Sequence, residues 1–200
     1  MKIITVAHQK GGVGKTTLTL NLAASLKNGG LKVALLDVDA QGSLAGISDE
    51  LEGIDYIQAE QLSDIKALTY DVLIIDTPPY LINSLMDLFA ISDFVLIPSK
   101  VGFFDVMAIR ATLAIIKEVQ ITRPQLKYGV VLNMLKSRSS ITDDIKQILE
   151  TYKAVVLKSV IMDRVSYTRS SITNGVFSTD DTKAHDEIIA LTNEILDALN

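Results

Sequence analysis

The 200-residue chain contains no cysteine. Disulfides, thiolate metal sites and cysteine-held iron–sulfur clusters are therefore excluded. Histidine is scarce as well: His8 and His185 fall at no ligand spacing, and both read as structural. No apolar run reaches the roughly 18 residues that a membrane helix needs. Lys2 leads directly into a strand-like stretch rather than a signal-peptide core. The expected compartment is the cytoplasm.

A strong excess of either charge is also lacking, with 19 Lys/Arg against 24 Asp/Glu. The net charge of −5 argues against a wholesale nucleic-acid binder. Its distribution is uneven. Residues 123–183 hold ten Lys/Arg and six Asp/Glu, a balance of +4, so the remainder carries −9. A basic region on an acidic chain suits weak, salt-sensitive DNA contact, and suits an ordinary solvated surface equally. Length and a 48% hydrophobic composition allow one sizeable core, and residues 1–200 read as a single domain.

What is present is organised around Gln9–Lys10–Gly11–Gly12–Val13–Gly14–Lys15–Thr16–Thr17. An apolar strand precedes it and a periodic segment follows, the context that a phosphate-binding loop requires. Glycines let successive N–H groups turn into one hollow, and the following helix adds its positive end. Lys15 is placed to reach β- and γ-phosphates, and the Thr16 hydroxyl to ligate Mg²⁺.

The remaining chain alternates strand and helix. Strands are expected over 2–7, 32–36, 54–58, 71–76, 94–97, 127–132 and 154–157. Helices are expected over 16–27, 44–51, 59–68, 81–91, 105–119, 142–152 and 183–199, with 160–173 ambiguous. The pattern implies a mostly parallel twisted sheet with helices on both faces. Asp37 and Asp39 follow the second strand and Asp76 ends the fourth, at the carboxyl edge where open parallel sheets bind ligands. Mg²⁺ favours carboxylates and water, and phosphoryl transfer needs an oriented water.

Three motifs carry a family resemblance. K-G-G-V-G-K-T-T, with Gln9 where the standard loop has glycine and with Lys10 inside the loop, resembles the deviant Walker A of the ParA/MinD ATPases. L-L-D-V-D-A-Q-G, with Ala40 where that group usually has proline, and L-I-I-D-T-P-P resemble its second and third motifs. The chain looks like a small ParA-type partition ATPase. It lacks the cysteines that nitrogenase-iron-protein-like relatives of the deviant loop need for their cluster. With no room before residue 7 for a helix-turn-helix, operator-specific DNA reading is not expected.

The resemblance implies an ATP/ADP and Mg²⁺ cycle. Lys10 would cross to the partner's nucleotide in an ATP-bridged homodimer. Lys15 would hold the phosphates, and Asp39 would orient the attacking water. Thr16, Asp37 and Asp76 would serve the metal. The dimer would bind DNA without sequence preference and associate with the nucleoid, and a ParB-like partner would stimulate hydrolysis.

Asn133 is a candidate for adenine contact or a strand-ending turn residue. Arg138, Lys158, Arg164 and Arg169 are candidates for DNA contact. Phe103, Phe104 and Met107 read as core or dimer packing.

Two other functions compete: a MinD-like membrane-associated ATPase and a small-molecule synthetase of the same superfamily. The last helix carries Asp186, Glu187, Glu194 and Asp197 and no basic residue beyond 185, so an anionic membrane would repel it. A synthetase would not need Lys10. A third reading keeps the ATPase and changes the cargo to a chemoreceptor array, a carboxysome or another large assembly.

Overall fold

The chain builds one seven-stranded sheet in the order β3-β2-β4-β1-β5-β6-β7, with every pairing parallel. The computed structural model describes residues 1–38, 44, 46, 51–57, 65, 69–79, 82–136, 140–169 and 175–200. The strands are β1 (Lys2–Val6), β2 (Val33–Asp37), β3 (Asp55–Ile57), β4 (Val72–Asp76), β5 (Phe94–Ser99), β6 (Lys127–Leu135) and β7 (Val156–Met162). The helices are α1 (Lys15–Asn28), α2 (Ile82–Ile91), α3 (Phe103–Thr122), α4 (Ser140–Thr151), α5 (Val165–Arg169) and α6 (Thr182–Leu199).

The central strands are apolar without alternation because helices cover both faces. In β4, every residue is buried. Ile4 and Val6 join one cluster with α1 and α6, through Leu18, Leu22, Ile188 and Leu191. Val95, Ile97 and Leu132 join the opposite cluster with α2, α3 and α4, through Phe89, Ile109 and Leu149. Helix α1 stops at Gly29, and Gly30 takes φ 86°, a backbone turn that glycine makes at no steric cost.

Three expectations are corrected. β6 runs on to Leu135, so Asn133 lies within a strand rather than after it. Strand β7 extends to Met162 although Lys158 and Ser159 interrupt its apolar run. It is an edge strand, and the Glu194 carboxylate accepts from Lys158 N at 2.7 Å and Ser159 N at 2.9 Å. An acid on α6 thus satisfies N–H groups that no strand pairs with. Phe103 and Phe104 are 59% and 78% exposed, so they are not core. The segments expected as helices over 44–51 and 59–68 lie almost wholly outside the described residues, as do Asp39, Ala40, Gln41 and Arg138.

Candidate functional site

Strand order fixes the site. β1 sits between β4 and β5, and the chain leaves its carboxyl end into the glycine loop. In register, Val6 pairs with Asp76, and Asp76 pairs with Asp37. Loop and two carboxylates therefore share one sheet edge at a change in strand order, the expected position of a ligand crevice.

The loop's shape depends on Gly12 and Gly14, at φ 70° and 91°. Gly14 is the N-cap of α1, and a Cβ there would lie 2.4 Å from Asn133 Nδ2. Any side chain would displace that amide as well as strain the backbone by about 1 kcal/mol or more. Asn133 is buried; its Nδ2 donates to Val13 O at 2.7 Å, and its Oδ1 accepts from Met134 N at 2.9 Å. This amide clamps the glycine loop to β6. It also lines a cavity of about 80 Å³ with Thr17, Met162, Asp163 and Tyr167, beside the start of α1.

The two loop lysines point differently. Lys15 is 7% exposed, and its Nζ donates to Lys10 O at 3.3 Å. The Lys10 side chain is 42% exposed, and its Nζ lies 2.8 Å from Asp105 Oδ1 on α3. His8 adds a second tie: its Nδ1 accepts from Lys10 N at 2.9 Å. Burial, with the nearby Lys15 ammonium, pushes the His8 imidazole down to about 4. It is neutral at physiological pH, and a neutral Nδ1 is what lets it accept from the loop.

The residues present fit a magnesium ion. Thr16 Oγ1 donates to Asp76 Oδ2 at 2.5 Å, and Thr19 Oγ1 donates to Asp76 Oδ1 at 3.3 Å. Burial, opposed by the Thr16 hydrogen bond and reinforced by Asp37, pushes the Asp76 carboxyl up to about 6. A shielded carboxylate facing a second carboxylate gains from a bound cation. Asp37 Oδ2 accepts from Leu44 N at 3.1 Å, so its loop is tied back to the same corner. No cluster of three or more His, Cys, Asp or Glu forms among the described residues. That suits Mg²⁺, which keeps several waters and takes substrate phosphates as ligands.

The described candidates for DNA contact differ in their surroundings. The Arg164 guanidinium is engaged by Glu187 at 2.6 Å and lies 3.9 Å from Asp181. Lys158 lies on edge strand β7 and Arg169 at the end of α5, both exposed. A set that the sequence did not single out, Arg110, Lys117 and Lys153, lines a groove between α3 and the end of α4. His185 is structural: its Nε2 lies 2.8 Å from Val176 O. Among the described residues, no helix is long and apolar enough to cross a membrane.

The chain is similar to known proteins in sequence and in fold. The chain is 29% identical over 208 residues to "Maintenance of carboxysome distribution protein A" of Halothiobacillus neapolitanus, covering 96% of this chain and 95% of that protein. A plasmid partition protein from Borrelia burgdorferi B31, bound to AMPPNP, has the same fold with a TM-score of 0.75 at 21% identity and 98% coverage of both chains. So does the cobyrinic acid a,c-diamide synthase of Mycobacterium smegmatis with bound ADP and magnesium. Its TM-score is 0.76 at 22% identity, covering 98% of this chain and 94% of that one. Residues 4–175 match the CobQ/CobB/MinD/ParA nucleotide binding domain, and the chain belongs to that family.

Proposed function

We propose that this chain is an ATP-dependent dimerising ATPase that binds DNA without sequence preference and partitions or positions a cargo. A ParB-like or other adaptor on the cargo stimulates hydrolysis. The observation that carries the reading is the divergence of two lysines in one loop. Lys15 is turned inward, where it can neutralise phosphates in its own cradle. Lys10 is turned away from that cradle and half exposed, its Nζ beside Asp105 on α3, and once released it can serve a nucleotide held by a second copy. A synthetase acting within one protomer has no use for the outward lysine.

In the reaction, water attacks the γ-phosphorus, the bond to the β–γ bridging oxygen breaks, and ADP leaves with that electron pair. The loop N–H groups, Lys15 and the start of α1 hold the phosphates. Lys10 from the opposite protomer stabilises charge that develops as the bond breaks. Asp39 orients the water. A bound Mg²⁺ would supply charge neutralisation on the phosphate oxygens, held by Thr16 with Asp76 and Asp37 behind it.

Asp39→Ala is expected to bind ATP normally, to accumulate as an ATP-bound dimer and to turn over at least about 10²-fold more slowly. Steady-state phosphate release with parallel sizing measures both. Wild-type turnover in that variant would remove Asp39 from the mechanism.

DNA binding is expected to require ATP and to weaken steeply with salt. Each phosphate contact contributes a slope of about −0.9 in log affinity against log salt. Lys158→Glu and Arg169→Glu should each reduce that slope by about 1. Anisotropy of a random-sequence duplex across a salt series reads it, and salt-insensitive binding by nucleotide-free protein contradicts it. The deciding test of the whole reading is sizing with ADP and with a slowly hydrolysed ATP analogue, with and without DNA. A monomer in every condition refutes it.

A further inference from the structure

Asp105 lies in the first turn of α3, 7% exposed, between the exposed Phe104 and the buried Val106. Its carboxylate folds back over the helix start. A Cβ on Gly102 would lie 2.5 Å from Asp105 Oδ2, so the N-cap must be glycine for that pose. The other oxygen, Oδ1, is fully shielded from solvent and accepts no hydrogen bond of good geometry among the described residues. Its compensation is charge: Lys10 Nζ stands 2.8 Å away. The Lys10 ammonium is itself the loop's outward cation, so the group meant to cross the interface is held within its own protomer.

We propose that Asp105 is a positioning residue that retains Lys10 in cis and sets the threshold for dimer formation. The inference rests on the two-protomer reading above. When Lys10 leaves for a phosphate on the opposite copy, Asp105 becomes a shielded carboxylate without its countercharge. Removing one member leaves the other without its partner, a cost that solvent around the half-exposed Lys10 keeps modest but that still opposes release. The pull on Lys10 must therefore exceed that of Asp105, and a triphosphate pulls harder than a diphosphate because it carries more charge. Discrimination between ATP and ADP then arises in a competition for one ammonium. The pair also lies where contact between copies would be felt. Phe103, Phe104 and Met107 are exposed around it at the start of α3, and covering them would strip water from the pair.

The test uses Asp105→Asn, which keeps shape and removes charge, and Asp105→Ser, which keeps a polar group in the helix's first turn in case the first variant folds poorly. Sedimentation velocity over a protein concentration series, with ADP and with a slowly hydrolysed ATP analogue, gives the concentration at half dimerisation. Both variants are expected to lower that concentration by about tenfold with the analogue and to show dimer with ADP. Combining Asp105→Asn with Lys10→Ala should give the behaviour of Lys10→Ala alone, a dependence that a merely structural role would not produce. Unshifted variants beside a dimerising wild type overturn this inference and leave the two-protomer reading intact. Loss of dimer in Asp105→Asn also overturns it, because Asp105 would then act across the interface. A wild-type chain that stays monomeric removes both.

Discussion

Lys10→Ala is expected to bind ATP and yet to remain monomeric, with hydrolysis reduced by about 10²-fold or more. Binding survives because the loop N–H groups, the start of α1 and the nearly buried Lys15 remain in place. Dimerisation fails because the triphosphate on the other copy loses the cation that bridges to it. The variant should also melt slightly below wild type, since Asp105 Oδ1 loses the ammonium 2.8 Å away. That loss is small, on the order of 1 kcal/mol, because the Lys10 side chain is 42% exposed and solvent screens the pair. Adding Asp105→Asn should recover the melting temperature without recovering turnover. Equilibrium binding of a fluorescent ATP analogue, sizing and phosphate release separate the three effects. Wild-type turnover in Lys10→Ala would place all of the chemistry within one protomer and favour the synthetase reading.

The glycine loop and the strand ends at Asp37 and Asp76 are legible because their signals are local. Strand, left-handed glycines and helix start are consecutive in Ile4–Thr17, and no distant residue is needed to recognise them. The core strands were legible for a related reason: runs such as Val72–Ile75 are apolar throughout because both faces are covered. Neighbour order was not, since an apolar run does not encode its partners, and the insertion of β4 between β2 and β1 appears only in three dimensions. Edge strand β7 reads shorter in the sequence than it is, because Lys158 and Ser159 break its pattern. Its support comes from Glu194, 35 residues beyond Ser159. The same acids that argued against a membrane helix are structural: Glu194 covers the β7 edge, and Glu187 accepts from Met162 N at 3.1 Å and grips Arg164. Asn133, a candidate for adenine contact or a strand-ending turn in the sequence, donates to Val13 O, a contact spanning 120 residues that no local signal announces. Lys10 and Asp105 are likewise remote in the chain, and neither residue alone signals the other.

Asp76→Asn is expected to have opposite effects on stability and on nucleotide binding. Burial holds the Asp76 carboxyl up at about 6, against an ordinary 3.8. A folded-state value raised this way means that the native protein binds the proton more tightly than the unfolded chain does. The associated stability is complete below about 3.8 and is lost as pH rises through about 6. At pH 8 the ionised, shielded carboxylate therefore costs the nucleotide-free protein roughly 3 kcal/mol. Asparagine removes the charge and keeps one acceptor oxygen; its Nδ2 donates to whichever of the Thr16 and Thr19 hydroxyls then turns to accept. The nucleotide-free variant should gain up to about 2–3 kcal/mol at pH 8, and the gain should vanish near pH 4. His8 works in the other direction. Its value of about 4, below the ordinary 6.5, gives stability present above 6.5 and lost as pH falls through about 4. Between these limits the two groups partly offset each other in the wild type. Of these two dependences the variant retains that of His8, and it should lose stability on acidification below about 6.5. Urea melts of nucleotide-free protein from pH 4 to 8 would show the divergence. In the same variant, Mg²⁺-dependent ATP affinity should fall by about tenfold or more, because the charge behind Thr16 is gone. A carboxylate kept shielded from water at a cost to the empty protein suits a cation-assisted phosphate site. If Asp76→Asn left both the alkaline stability and the magnesium dependence unchanged, Asp76 would be a strand-end residue with no part in the site.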